Sequence, residues 1–432
     1  MHKIFYILFL IPAFASAQTF KQKLSKADSL KSTEVISFYN KDLVDIPNNA
    51  DSYYQRGRAK VTLRDFNGAL ADLNQSIALN SAFDRAYIDR GRIKHELNDF
   101  AGAFYDYTRA ITIKPTAAAY YNRGLADASL GDFTGAITDF DKAIELKPKN
   151  DSALNERGVT KQKLNDINGA LLDFGQAIVI NPNNPLPFYN RALAKKQLND
   201  NAGALADFNQ TIVLAPEESE VYFNRGDVKY ALHDYKGALA DYDKAILLNP
   251  GFTDAYNSRG VTKYILKDYA GDIADANKTI ALNPQYGVAY YNRALAYDQL
   301  NKDADAITDY NKYLTFDNKD ADVYFRRGNV KLKTTDLKAA LADYDKALSL
   351  NPKHAEAYYN RAYVKSKLND YAGSVTDYSA VIALVPKHSD AYNNRGLVKH
   401  LMKNDVSACA DFKKAAMMGN KAAIENGIHF CK

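Results

Sequence analysis

The side chains best suited to catalysis or metal binding are few in this sequence, and their spacing assembles no recognisable site. No two of its seven histidines stand in an H-x-x-x-H or H-E-x-x-H arrangement, which would place two zinc ligands on one helix face. The G-x-S-x-G elbow of serine hydrolases and a glycine-rich phosphate loop are also missing. We therefore predict no metal and no cofactor. The histidines are His2, His95, His233, His354, His388, His400 and His429.

Arginine and aspartate, by contrast, recur together at fixed intervals. The phrase Y-Y-N-R-G at 120–124 returns almost unchanged at 290–294 and 358–362, and its Arg recurs every 34 residues with a single interval of 33. Features that recur eleven times indicate a scaffold, because an active site needs one unique constellation, so we predict no enzyme activity. The Arg residues are Arg56, Arg90, Arg123, Arg157, Arg191, Arg225, Arg259, Arg293, Arg327, Arg361 and Arg395.

An Asp stands 16 residues after every one of these Arg residues. One reading is a repeated, buried or half-buried ion pair, because an unpaired Arg at a packed position is costly. The other is a ladder of Arg residues that binds anions. Spacing alone does not decide whether a pair closes within one unit or between neighbours. The Asp residues are Asp72, Asp106, Asp139, Asp173, Asp207, Asp241, Asp275, Asp309, Asp343, Asp377 and Asp411.

The elements that position these residues are two helices per repeat. We number positions in each unit from its Arg, which is position 0. Apolar or small residues near −3, +1, +4 and +7 lie on one face of a helix. An Asp at +9 in nine units predicts the N-cap of a second helix, which proline then ends. These Asp residues are Asp65, Asp99, Asp132, Asp166, Asp200, Asp234, Asp268, Asp336 and Asp370, and the prolines are Pro115, Pro148, Pro182, Pro216, Pro250, Pro284, Pro352 and Pro386.

A 34-residue helix pair with small residues at +13, aromatics at +17 and a closing proline resembles the tetratricopeptide repeat. The resemblance implies an all-α, right-handed solenoid of stacked antiparallel helix pairs. We predict eleven units over 50–422, a degenerate capping repeat at 18–49 and a capping helix at 423–432. The unit at 253–286 departs from the pattern with Asp272, Ala276 and Thr279. It is either a locally compensated loose unit or a joint at which the stack flexes.

The N-terminus is typical of a secretory signal. A short basic start precedes the apolar run Ile4 to Phe14, which is too short to span a bilayer. Ala15-Ser16-Ala17 is a cleavage site, so 1–17 is predicted as a signal peptide and Gln18 as the mature start. The chain is therefore expected to be exported, to the periplasm or beyond. The alternative is an uncleaved anchor, although no later stretch is apolar enough to cross a membrane.

The two cysteines, Cys409 and Cys431, are both close to the C-terminus. In an oxidising compartment such a pair favours a disulfide that pins the closing helix over the last repeat. The alternative is two free, buried thiols.

The charges argue against two classes of partner. The 56 basic and 51 acidic residues are interleaved along the chain, with a net charge of +5. Nucleic-acid binding proteins concentrate basic residues on one face, and polybasic membrane anchors do so in one segment. We predict neither kind of binding.

The family resemblance also implies where a ligand lies, because the first helices of tetratricopeptide units line a concave groove. Rings at −2 and Asn amides at −1 suit an extended polypeptide. The alternative is that the Asn residues are surface filler and the rings pack on their neighbours. The carboxylate clamp of the family is not matched, since no unit has Lys at −2. The implied groove residues are Tyr54, Tyr121, Asn122, Tyr189, Asn190, Phe223, Asn224, Tyr230, Tyr264, Tyr291, Asn292, Phe325, Tyr359, Asn360, Tyr363 and Asn394.

The expected function is therefore a non-catalytic scaffold of the cell envelope that binds a protein or an extended peptide. A carbohydrate- or cell-wall-binding protein stays open as an alternative, because Tyr rings also stack on sugars. Homo-oligomerisation stays open as well, because stacked repeats leave open ends.

Overall fold

The computed structural model describes residues 26–431, which form helices joined by short turns, with no strand in that range. These residues fall into two compact parts, which we call the N-terminal part, up to Asp234, and the C-terminal part, from Tyr235 onward. Within each part, consecutive helices pair and the pairs stack on one another. The predicted all-α class of stacked antiparallel helix pairs is therefore confirmed.

The N-terminal part contains twelve described helices. They are α1 Lys26–Asp45, α2 Ala50–Thr62, α3 Phe66–Leu79, α4 Asp84–Glu96, α5 Phe100–Ile113, α6 Ala117–Leu130, α7 Phe133–Leu146, α8 Asp151–Lys163, α9 Ile167–Ile180, α10 Pro185–Gln197, α11 Asn201–Leu214 and α12 Ser219–Ala231.

The C-terminal part also contains twelve described helices. They are α13 Tyr235–Leu248, α14 Thr253–Ile265, α15 Tyr269–Leu282, α16 Gly287–Gln299, α17 Asp303–Tyr313, α18 Ala321–Lys333, α19 Leu337–Leu350, α20 Ala355–Lys367, α21 Tyr371–Leu384, α22 Ser389–Leu401, α23 Asp405–Met417 and α24 Lys421–Phe430.

The turn inside each pair combines two capping devices. The residue at +8 takes a left-handed backbone conformation, which ends the first helix; Asn98 does so with φ 63° and Gly131 with φ 86°. The Asp at +9 then accepts a hydrogen bond from the backbone N–H three residues later, as Asp99 does from Gly102 at 2.9 Å. The predicted N-caps are confirmed at Asp65, Asp99, Asp132, Asp166, Asp200, Asp268, Asp336 and Asp370.

The core of each pair depends on one small residue and one ring. Ala136 and Phe140, at +13 and +17 on α7, are both fully buried. A Cβ built on Gly124, at position +1, would lie 2.8 Å from the Phe140 ring. Such close contact explains why only Gly or Ala stands at +1, because a larger side chain would displace the ring.

The repeated Arg is held by the Asp of its own helix pair. Arg90 donates from Nε and Nη2 to the two carboxylate oxygens of Asp106, at 2.9 and 2.6 Å. The ammonium of Lys94 lies 2.9 Å from the same carboxylate. The remaining nitrogen, Nη1, donates to Asn74 of the preceding pair at 2.7 Å. The two-point bond to Asp recurs at Arg56, Arg123, Arg157, Arg191, Arg259, Arg293, Arg327, Arg361 and Arg395.

This geometry decides between the two readings of the repeated pair. The carboxylate lies within the unit, while Nη1 links the unit to its predecessor. Position −3 adds a ring beside the guanidinium, as Tyr87 does 5.4 Å from Arg90. Since the donors of these Arg residues are occupied, the structure favours structural pairing over an anion-binding ladder.

The pair α14–α15 is the divergent unit, and it places a carboxyl group in the core. Asp272 occupies the small position and is 1% exposed, while Ala276 replaces the usual ring. Its Oδ2 atom has no hydrogen-bond partner. Burial, and then the neighbouring charge of Asp275, raise the pKa of Asp272 to about 7. This unit therefore lacks the buried ring of most other units and contains a buried carboxyl group in its core.

Single helices flank the pairs at both ends. Helix α1 contacts α2 through hydrogen bonds from Ser52 and Arg56 to Asp42 and Asn40. Helix α24 follows the last pair, and Cys409 on α23 is disulfide-bonded to Cys431 just beyond it, with 5.6 Å between the Cα atoms. The predicted signal peptide and the first residues of the predicted capping repeat lie outside the described residues.

Candidate functional site

The aromatic row at −2 is mostly buried, which favours the alternative that these rings pack on their neighbours. Tyr291 is fully buried, and its ring centroid lies 6.2 Å from that of Tyr310 at +17. The ring at −2 faces the helix pair because it follows the same 3.6-residue period as the core positions. Tyr54, Tyr189, Phe223, Tyr291 and Phe325 are at most 8% exposed, whereas Tyr121 and Tyr359 are half-buried.

The Asn row at −1 forms hydrogen bonds between successive pairs. Asn190 donates to Asn155 at 2.9 Å, and Asn292 donates to Asn257 at 3.1 Å. Two further members donate to the hydroxyl of the preceding −2 ring: Asn224 to Tyr189 at 3.2 Å and Asn394 to Tyr359 at 2.8 Å. The row is therefore a stacking device in most units, and Asn190, Asn224 and Asn292 are too deeply buried to contact a ligand.

The other implied groove residues differ in their exposure. Asn122, Tyr230 and Tyr264 are half-buried, and Tyr264 packs against Tyr269 with 5.3 Å between ring centroids. Tyr363 is 40% exposed and has the ammonium of Lys367 over its ring.

A pocket opens on these first helices across α18, α20 and the start of α22. Its volume is about 520 Å³. Positions −5, −2, −1 and +2 lie on one face of a helix, and stacking brings the same positions of neighbouring units side by side. Three implied groove residues, Phe325, Tyr359 and Asn360, meet there. The full lining is Asp322, Phe325, Arg326, Asn329, Glu356, Tyr359, Asn360 and His388.

Two amides in the pocket have free hydrogen-bonding groups. Oδ1 of Asn329 accepts from the Tyr344 hydroxyl at 2.8 Å and from Nδ2 of Asn360 at 2.9 Å. These bonds use the oxygen of Asn329 and the nitrogen of Asn360. Among the described residues, Nδ2 of Asn329 and Oδ1 of Asn360 make no such bond. One free donor and one free acceptor complement a peptide group.

The charged side chains of the pocket differ in whether they have an ion-pair partner. Nε of Arg326 donates to Asp322 at 2.6 Å, and the Tyr291 hydroxyl donates to the same carboxylate at 3.3 Å. Burial by itself lowers the pKa of Arg326, yet Tyr291 and Asp322 raise it overall, so the guanidinium stays charged. Glu356 is exposed and has no ion-pair partner within the described part of the chain.

The sequence analysis missed five of the eight lining residues: Asp322, Arg326, Asn329, Glu356 and His388. One signal could have found the site. Arg326 stands at −1, where six units have Asn, so it departs from the repeat where its neighbours conform.

The fold is a scaffold of stacked helix hairpins with a pocket on its first helices. Patterns described as Tetratricopeptide repeat match residues 54–118, 117–150, 219–252, 288–320, 321–354 and 343–375, about half of the chain. The chain belongs to the tetratricopeptide-repeat family. Membership supports a role in protein interaction. A search of curated proteins finds no match.

Several solved structures are similar to the chain at low sequence identity. A tetratricopeptide repeat protein from Parabacteroides merdae ATCC 43184 is 24% identical, covering 59% of this chain and 97% of its own, with TM-score 0.43. The APC/C hetero-tetramer Cut9-Hcn1 is 14% identical over 94% and 95%, with TM-score 0.44. YrrB, titled a TPR protein with an unusual peptide-binding site, is 21% identical over 44% and 97%, with TM-score 0.40. Similarity at this level says nothing about ligands.

Membrane-spanning helices and metal-binding clusters are not found among the described residues. Between residues 26 and 431, no helix has both the length and the hydropathy needed to cross a bilayer. Over the same residues, no group of three His, Cys, Asp or Glu side chains is placed to hold a metal ion.

Proposed function

We propose that the chain is a non-catalytic scaffold of the cell envelope that binds an extended polypeptide in the pocket of α18, α20 and α22. The observation that carries the proposal is the free amide donor of Asn329 beside the free amide acceptor of Asn360. An extended peptide presents N–H and C=O groups that pair with such amides. The rings of Phe325 and Tyr359 provide apolar contact next to them.

The envelope setting is supported by the sequence of residues 1–17 and by the disulfide between Cys409 and Cys431. Disulfides persist in oxidising compartments and are rare in the cytosol. Mass spectrometry of the protein purified from its host is expected to show a chain that begins at Gln18 and lacks free thiols. A full-length cytosolic chain with two alkylatable thiols would contradict export.

The binding proposal is tested by comparing two Asn substitutions at the same repeat position. Asn360→Ala removes the free acceptor and weakens peptide binding about 3- to 10-fold, the effect of one or two hydrogen bonds. Asn292→Ala also removes a hydrogen bond to the preceding pair, but Asn292 does not line the pocket. The Asn292→Ala substitution is therefore expected to change the Kd for the peptide less than twofold.

The measurement is fluorescence polarisation with the tightest binder from an array of random extended peptides, with a glycan array screened in parallel. Thermal unfolding of both variants serves as the control and is expected to show that their folds are equally preserved. Equal effects of the two substitutions on the Kd would contradict a site in this pocket. Glycans that bind while every peptide fails would favour the carbohydrate-binding alternative.

A further inference from the structure

Resting on the proposed function, we propose that the pocket selects a basic side chain of the bound polypeptide, Lys or Arg. The carboxylate of Glu356 is its counterion, and the rings of Phe325 and Tyr359 are its walls. The geometry behind this proposal is the position of one unmatched carboxylate at the rim of an aromatic pocket.

The charges of the lining leave an excess of one negative charge. Asp322 and Arg326 form an ion pair, so their charges cancel. His388 accepts a hydrogen bond at Nδ1 from the backbone N–H of Ala391 at 3.2 Å, which requires that nitrogen to be unprotonated. Counted with neutral histidines, the lining carries one positive and two negative charges. Glu356 is the one lining charge that no neighbouring side chain compensates.

The next unit repeats this acidic position with a carboxylate that already accepts a hydrogen bond. Asp390 stands at −5 of the following unit, as Glu356 and Asp322 do in theirs, and it accepts a hydrogen bond from Asn420 at 2.7 Å. Asp322 is likewise taken by Arg326. A cation that approaches this row therefore finds its least satisfied acceptor at Glu356.

The rings beside Glu356 are held in place by stacking on histidines. The Tyr359 ring stacks on His388 with 5.1 Å between centroids, and Phe325 lies 4.5 Å from His354. Both histidines also cap helices through Nδ1, which fixes their orientation. Fixed aromatic faces attract cations and contact the methylene groups of Lys and Arg. The walls and the charge thus favour the same side chains.

An acidic side chain would be a poor fit in the same pocket. It would place a second carboxylate near Glu356, and like charges repel. The only fixed cation, Arg326, already donates to Asp322 and would have to break that pair to receive it. Charge complementarity therefore favours a basic side chain in the pocket over an acidic one.

The test uses the full chain and a matched set of fluorescent peptides. The probes share one extended Ala-based sequence whose central residue is Lys, Arg, Nε-acetyl-lysine, Gln or Glu. Lys and Arg are expected to bind about 2- to 5-fold more tightly than acetyl-lysine and Gln, because a rim-exposed ion pair contributes modestly. Raising the ionic strength should shrink this preference.

The substitution Glu356→Gln should remove the preference for Lys and Arg, and Glu356→Lys should reverse it toward Glu. Position 356 is exposed, so the fold is expected to tolerate both substitutions. Glu425→Gln, an exposed carboxylate on α24 outside the pocket, is the control and should leave the preference intact.

The outcomes separate this proposal from the proposed function. Peptides that bind without preferring a basic residue, or whose preference survives Glu356→Gln, would overturn the basic-side-chain proposal while the Asn360→Ala result still supports peptide binding. Preference for Glu in the unsubstituted chain would also overturn it. If no peptide binds at all, both proposals fail.

Discussion

The repeated ion pairs and the pocket of α18, α20 and α22 use similar side chains for opposite purposes. Between the helices of most pairs, Arg, Asp and Lys satisfy one another, as Arg90, Asp106 and Lys94 do. In the pocket, Arg326 stands at −1, where no other unit has a basic residue, and Glu356 has no ion-pair partner among the described residues. We infer that the satisfied charges serve stacking and that the unpaired carboxylate serves recognition.

Breaking the repeated ion pair should have the largest effect on stability. Asp106→Ala leaves the half-buried guanidinium of Arg90 and the ammonium of Lys94 without their shared, buried carboxylate, which costs about 3–5 kcal/mol. Urea denaturation followed by circular dichroism measures the loss. Asp141→Ala removes an exposed partner of Arg157 and should cost less than about 1 kcal/mol. Similar losses for the two substitutions would show that the buried carboxylate does not organise the pair.

The divergent pair α14–α15 should respond to pH where regular pairs do not. The pKa of Asp272 is about 7 in the folded chain and near 3.8 when unfolded, so folding favours the protonated acid. Its stabilising contribution is fully present below pH 4 and is lost as the pH rises toward and through 7. With 1.36 kcal/mol for each pKa unit, the loss reaches about 4 kcal/mol.

Hydrogen-exchange protection factors at pH 5 and pH 8 measure this response helix by helix. Protection in α14 and α15 should fall at the higher pH, and Asp272→Ala, which restores the usual small residue, should abolish the fall. Equal protection of all pairs at both pH values would rule out the flexible joint and also contradict the pH response.

Reducing the disulfide should have a smaller and more local effect. Opening the loop between Cys409 and Cys431, which are 22 residues apart, removes about 3 kcal/mol in the chain-entropy model. The loss should be confined to α22–α24. Thermal unfolding with and without reductant measures it, and a variant with both cysteines changed to Ser should be insensitive to reductant. A global loss of helicity on reduction would show that the closing helix supports more than the last pair.

The periodicity of the sequence predicted the helix pairs because every unit repeats the same burial pattern. The N-cap at Asp99 followed from one residue type at one position. The left-handed residue before it did not in five units, because Arg, His, Lys or Thr occupies +8 there, and these types seldom take that conformation, unlike the Asn and Gly of the other units.

The binding face was predicted less well, for a geometric reason. A residue at −2 borders both the groove and the ring at +17, and the period alone does not show which of them the side chain contacts. The side chain of Tyr291 packs on the ring of Tyr310 at +17 and is fully buried. In Tyr359 the ring stays half-exposed beside Asn360. The different burial of these two rings depends on packing between neighbouring units. The sequence pattern within one unit does not show that packing.

Photo-crosslinking in the native host tests most directly whether recognition occurs at the pocket of α18, α20 and α22. A benzophenone amino acid at position 356 lies on the rim of the pocket, and one at the exposed Lys346 on α19 lies outside it. The account predicts a defined polypeptide crosslinked at 356 and none at 346, identified by mass spectrometry. Equal crosslinking at both positions, or crosslinking at 346 alone, would contradict it.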